Sequence, residues 1–293
     1  MEHNLKIIEF SDGTIQFKAY DGVIRNKKKS KKLSAECSAE HKEPIIIEAT
    51  LEELIEKAKQ TELELERKKE YSLRSSVSRT RSKIEQLARN GDFTHFVTLT
   101  YDPKKLNRYD YDECIKTFYV WLQNIKRNAP DIQALFVPEF HTKNAQIDEQ
   151  GNETYAIHFH GLIGHIKGLE LIFKTRRKGL NVYSLSDWHF GISDVTAIKD
   201  KEALCKYIRK YVTKQSISIA RTHKSRHRYF KTGLSLPKET KLLLDSSKQK
   251  EALLNEYIKR YAERNDLEIA SAMEEYSDYG YIPVKYYELK PKK

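Results

Sequence analysis

The chain has 293 residues, of which 39% are hydrophobic and 32% charged, and a formal net charge of +11. That length accommodates two average domains or one large domain with appendages, and 18 Tyr with 11 Phe exclude wholesale disorder. There is no run of about 18 apolar residues and no basic-then-apolar leader, which predicts a soluble intracellular protein, and the scattered Cys37, Cys114 and Cys205 exclude a disulfide scaffold.

The charge is uneven. Residues 71–235 hold 28 basic and 16 acidic side chains, a net of +12, whereas the flanks together hold 25 and 26. A basic middle between neutral flanks is the footprint of a polyanion partner, because each cation that meets a phosphate releases condensed counterions. A solvated lysine-rich surface has the same composition, so charge alone does not choose.

In chain order, LKIIEFSDGTIQFKAY (residues 5–20) alternates around Ser11-Asp12-Gly13 and predicts a hairpin. Residues 26–44, with NKKKSKK, read as a linker. Thr50 and Glu53 form a capping box for a long, mostly exposed helix that runs to Ala88 and stops at Asn90-Gly91. THFVTLTYD predicts a strand ended by Pro103. Cys114, Ile115, Phe118, Trp121, Leu122 and Ile125 then mark one face of a helix over 111–128. ALFVPEF and TYAIHFHGLIG form a second hairpin around a turn with Asp148 and Gly151, followed by a variable insert. ISDVTAI is a further strand, Asp200 opens a helix through KEALCKYIRKYVTKQ, and RHRYFKT supplies a last strand. Leu242, Leu243, Leu253, Leu254, Tyr257, Ile258 and Tyr261 predict a helical tail. The chain thus divides into residues 1–70, with hairpin, basic linker and long helix, a central domain at 71–236, and the tail at 237–293. Paired strands with helices between them favour an α+β fold, an antiparallel sheet with helices packed on it.

His158 and His160 flank Phe159 on a predicted strand, so both imidazoles share one face. Glu139 interrupts the apolar partner strand and, across a hairpin, approaches them. Together they make a nitrogen and oxygen donor set suited to Mg²⁺ or Mn²⁺ with substrate phosphate and water. His141, two residues on, is the rival third ligand. Tyr207 and Tyr211 are four apart and stack on one helix face among Lys206, Lys210 and Lys214. A phenol attacking a phosphodiester needs a polarised phosphate and nearby cations, and this combination is far more specific than its parts. Arg226, Arg228, Tyr229 and Phe230 mix cations with aromatics as single-strand clefts do. There is no Gly-x-x-x-x-Gly-Lys-Ser/Thr loop for a nucleotide, so any helicase is a separate protein.

With these residues, roughly 71–236 resemble the HUH endonucleases that initiate rolling-circle replication of small phages and plasmids, in the two-tyrosine group. FVTLTYD resembles the family's first motif, HFH its His-hydrophobic-His motif, and YIRKYVTK its Tyr-x-x-x-Tyr motif, while SVSRTRSKI and YFKTGLSLP resemble its flanking segments. The resemblance implies a ferredoxin-like or RRM-like sheet. It implies that Tyr207 or Tyr211 attacks single-stranded origin DNA, keeps a 5′-phosphotyrosine and frees a 3′-hydroxyl for host polymerase, with the other tyrosine serving termination. His158, His160 and Glu139 would hold the metal, Lys210 or Lys214 would contact the phosphate, and Arg79, Arg81, Lys206, Arg209, Arg226 and Arg228 would bind DNA. A host helicase and DNA polymerase are the implied partners, and a bacterial cytoplasm the implied location. The stretch Lys143 to Glu153 is a departure from the family pattern that separates Glu139 from the His pair. A relaxase or transposase with the same chemistry, a hydrolytic nuclease and a non-catalytic single-strand-binding module are the competing readings.

Overall fold

The computed structural model describes residues 2–25, 51–222, 227–244, 250–276 and 283–292. The basic run at residues 27–32, Cys37 and Arg226 lie outside the described residues. In chain order the elements are β1 (Glu2–Glu9), β2 (Ile15–Arg25), α1 (Leu51–Asn90), β3 (His95–Tyr101), α2 (Tyr111–Asn128), β4 (Gln133–Ile147), β5 (Glu153–Gly164), β6 (Leu171–Arg177), β7 (Leu180–Leu185), β8 (Gly191–Ala197), α3 (Lys201–Ile208), a 3-10 turn (Arg209–Tyr211), α4 (Lys214–Thr222), β9 (Phe230–Thr232), β10 (Lys238–Leu242), α5 (Lys250–Arg264), β11 (Leu267–Tyr276) and β12 (Pro283–Pro291). They fall into two compact units, one of Met1–Ile7, Gln16–Arg74 and Thr240–Lys293, the other of Ile8–Ile15 and Ser75–Glu239. The fold is α+β with antiparallel sheets, as the paired strands predict. No helix among the described residues is long and apolar enough to cross a membrane.

The larger unit is built on a seven-stranded sheet in the order β6-β7-β8-β3-β5-β4-β9. Alternation at period two decides what each face carries. Val97 and Leu99 on β3 and Ile157, Phe159 and Ile163 on β5 point to one face and are fully buried. There they meet Cys114, Ile115, Phe118, Trp121, Leu122 and Ile125 of α2, whose first turn is closed by Asp110 accepting from the Glu113 amide at 2.9 Å. The Phe118 ring stacks on Phe159 at 3.9 Å and meets Phe136 edge-on at 5.2 Å. With Phe159 fixed in this core, its neighbours His158 and His160 must emerge on the opposite face.

Gly161 continues the core face, and its lack of a side chain is a packing requirement: a Cβ there would overlap the Phe136 ring, which is fully buried. Gly161→Ala is therefore expected to cost about 1–3 kcal/mol of stability. Urea denaturation checks this, and an unchanged midpoint would contradict the packing described.

Three features depart from the sequence reading. The insert after β5 is a hairpin, β6–β7, turning on Lys178 and Gly179, both at positive φ, with a register shift between Phe173 and Thr175. That bulge breaks the alternation by which strands are recognised. The single helix expected from Asp200 ends instead at Ile208, tightens into the 3-10 turn, and restarts at Lys214 after an extended Val212. Thr213 and Ser216 cause the restart: the Thr213 hydroxyl accepts from the Ser216 amide at 3.0 Å and Ser216 Oγ accepts from the Thr213 amide at 2.9 Å. The predicted helical tail is helical over Lys250–Arg264 only. Leu242 ends strand β10, and beyond Asp266, at φ 54, β11 and β12 pair as an antiparallel hairpin.

In the smaller unit, a five-stranded sheet in the order β10-β1-β2-β12-β11 joins strands from both ends of the chain. Phe17 packs edge-on against Tyr257 and Tyr261 of α5, at 6.3 and 5.2 Å. The predicted N-terminal hairpin is present as β1–β2, with Gly13 at φ 79 in its turn.

Candidate functional site

The face opposite α2 carries Phe96, Thr98 and Thr100 on β3, His158 and His160 on β5, and Glu139 and His141 on β4. Register brings them into rows: Thr98 pairs with His160, Thr100 with His158, and Glu139 with His158. The stretch between Glu139 and His158 does not separate them. It extends the two strands to Ile147 and Glu153 and closes in a turn where Asp148 accepts from the amides of Gln150 and Asn152. His141 likewise lies on β4, opposite Ala156, rather than at a bend.

Hydroxyls fix both imidazoles. Thr100 Oγ1 lies 2.9 Å from His158 Nδ1, and Thr98 Oγ1 lies 3.2 Å from His160 Nδ1. This leaves each Nε2 for chemistry, the arrangement by which outer partners orient metal-ligating histidines. His160 Nε2 meets Glu139 Oε2 at 2.7 Å, and His141 Nε2 lies 3.8 Å from the same oxygen. His141 and His158 stack at 3.9 Å. The hydrogen bond with His160 holds the Glu139 carboxyl below its usual range, against the effect of burial and aided by the charges of the three histidines. Burial, helped by the charges of His141 and His160, pushes His158 down to about 4. His158 is thus a neutral imidazole at physiological pH, the form that donates a lone pair.

The His158 shift has a consequence for stability. Its folded pKa lies below the ordinary 6.5, so below pH 6.5 the unfolded chain binds more protons than the folded one. The contribution of His158 is fully present above pH 6.5 and is lost as pH falls toward about 4. Without added metal, the wild-type urea midpoint is expected to drop over this window more steeply than that of His158→Gln; parallel profiles would contradict the assignment.

The donors fit a divalent cation: two imidazoles anchored through Nδ1, a depressed carboxylate and a nearby third imidazole. Among the described residues, no group of three or more His, Cys, Asp or Glu is already spread into a ligand shell. The reason is visible at Glu139, whose oxygen is hydrogen-bonded directly to His160.

The tyrosine segment lies over this face. Tyr211 is buried and stacks on His160 at 3.8 Å, with the planes 7° apart. Phe96 packs edge-on against Tyr207 at 5.5 Å. The Tyr211 hydroxyl donates to the Tyr207 oxygen at 2.6 Å, and burial followed by this bond raises the Tyr211 pKa. Tyr207, 39% exposed, is the more accessible phenol. Lys210 Nζ sits 5.1 Å from the centre of the Tyr207 ring, and Lys214 is exposed at the first turn of α4.

The predicted DNA-binding cations are placed differently. Arg81 Nε donates to the Val212 carbonyl at 2.8 Å, and Arg209 pairs with Glu85 at 2.9 Å, so both tie the tyrosine segment to α1. Arg79 bonds back to the Ser75 carbonyl at 3.1 Å, and Arg228 reaches the Thr80 hydroxyl at 3.5 Å. The side chain of Lys206, like Arg226, lies outside the described ones. Thr98, Thr100 and Phe96 are site residues that sequence reasoning did not single out. Their period-two spacing in FVTLTYD was the available signal.

An α+β domain with an antiparallel sheet presents, on one face, a His-Glu cluster under a pair of bonded tyrosines. Residues 94–216, which span β3 to the first turn of α4 and hold all of these groups, match the family model of the replication-associated protein ORF2. That segment is similar to a replication-associated protein family. No curated protein and no solved structure matches the chain.

Proposed function

We propose that the protein initiates DNA replication by nicking one strand at its origin through tyrosine transesterification. The observation that carries the reading is the bonded pair Tyr207–Tyr211 lying against His160, inside the segment similar to replication-associated proteins.

In the proposed step the Tyr207 oxygen forms a bond to phosphorus, the bond from phosphorus to the 3′ oxygen breaks, and that oxygen leaves as a 3′-hydroxyl after taking up a proton. The downstream strand stays on the protein as a 5′-phosphotyrosine. Its linkage conserves the phosphodiester's free energy, so rejoining needs no nucleotide. The Tyr211 hydroxyl, already donating to the Tyr207 oxygen, stabilises charge there as the phenol ionises. Lys210 adds a cation beside the same ring. Mg²⁺ or Mn²⁺, held by His158, His160 and Glu139 with His141 as the rival ligand, would polarise the phosphate oxygens. Thr98 and Thr100 keep the two imidazoles turned toward that point. The 3′-hydroxyl would prime a host polymerase behind a separate helicase, in a bacterial cytoplasm.

The test is incubation of the protein and Mn²⁺ with end-labelled single strands from its own replicon, followed by denaturing electrophoresis. A labelled band at the mass of protein plus DNA is expected. Cleavage with both DNA ends free would replace the reading with a hydrolytic nuclease, and binding without cleavage with a stacking module.

A further inference from the structure

The β6–β7 hairpin was no part of the sequence-derived site, yet it carries charge onto the same face. Thr98, which holds His160, is register-paired on its other side with Asp194 of β8. Asp194 binds two cations from the hairpin: Lys174 Nζ at Oδ1, and Arg177 at Oδ2 with 3.0 Å. Lys174 also donates to the Ser193 carbonyl at 3.1 Å. One carboxylate between two cations leaves a net positive charge, and the Arg177 side chain is 63% exposed. Beside them, Ile192 and Ile172 are 61% and 48% exposed. Ile192 is paired with Thr100, the residue that holds His158, so this apolar strip begins at the site itself.

We infer that Lys174 and Arg177, held by Asp194, form a track for single-stranded DNA leading from the His-Tyr site to the β6 edge of the sheet. The cations take two backbone phosphates, and the exposed isoleucines meet unpaired bases. Charge complementarity and the +12 balance of residues 71–235 argue for a polyanion. The exposed apolar strip argues for a single strand, because in a duplex the base faces are stacked away from the protein. Asp194 keeps both long side chains extended over the sheet, so little rotamer freedom is lost when DNA arrives. The inference rests on the proposed nicking function for its substrate, but not on the chemistry of the tyrosines.

The test is fluorescence anisotropy of a labelled single strand from the replicon, across a salt series, with nicking at saturating DNA measured in parallel. Lys174→Ala/Arg177→Ala should weaken binding roughly tenfold or more at about 0.1 M salt and flatten the salt slope by about 1.4, the value for two phosphates on a single strand. Nicking at saturating DNA should remain near wild type. Lys174→Arg should retain affinity, and Lys116→Ala/Arg127→Ala, on α2 across the sheet, should change neither readout. Unchanged affinity and slope in the hairpin variant, or tighter binding of the duplex form than of the single strand, would overturn the track. Loss of affinity in a protein that never links to DNA would uphold the track and sink the nicking reading instead.

Discussion

Replacing Tyr207 by Phe is expected to lower the yield of protein-linked DNA by about 10³-fold or more, as loss of a nucleophile does. Tyr211→Phe should cost only about three- to tenfold in a first nicking event, the worth of one neutral hydrogen bond to the reacting oxygen. The asymmetry follows from geometry: Tyr207 is 39% exposed and accepts a hydrogen bond, whereas Tyr211 is buried, stacked on His160 and raised in pKa. Tyr211→Phe should instead fail in a second transfer, where a protein already linked through Tyr207 must attack again. Gel quantification of single-turnover reactions checks both. Equal losses in the two single variants would contradict the order.

His158→Ala/His160→Ala is expected to remove metal-stimulated nicking, again by about 10³-fold or more, because no donor of comparable placement remains. The fold should survive, since both imidazoles lie on the face opposite the α2 core and their removal leaves Phe159 packed on Phe118. The variant should match wild type in stability at about pH 7.5 to within about 1 kcal/mol. Calorimetric titration with Mn²⁺ supplies an independent readout, with binding present in wild type and absent in the variant. Thr98→Val and Thr100→Val should have intermediate effects, about 10–100-fold, by letting the rings rotate.

Much of this site is legible in the sequence because strand periodicity is rigid. Once Phe159 is assigned to the core, His158 and His160 must face the other way, and Glu139 in the neighbouring strand needs only one register to reach them. The hydroxyls of Thr98 and Thr100 were not legible as partners, because the pairing of β3 with β5 spans about 60 residues of sequence and no local pattern encodes its register. The α2 helix was readable from its apolar face and the Asp110 cap. The break between α3 and α4 was hidden, since four-residue tyrosine spacing fits a continuous helix. Only the Thr213–Ser216 pair, a cap without the usual Glu or Gln, signals the restart. Arg81 and Arg209 illustrate the limit of counting charge: each was read as a DNA contact, and each bridges α1 to the tyrosine segment. The β6–β7 hairpin, disguised by its bulge, holds cations on the site face that composition could not place.

The most direct test of the central claim is mass spectrometry of proteolysed protein after reaction with a replicon-derived single strand and Mn²⁺. The account predicts a nucleotide phosphate on the peptide carrying Tyr207, present in wild type and Tyr211→Phe and absent from Tyr207→Phe and from reactions with chelator. A cleaved strand with no nucleotide on any tyrosine of the protein would contradict it.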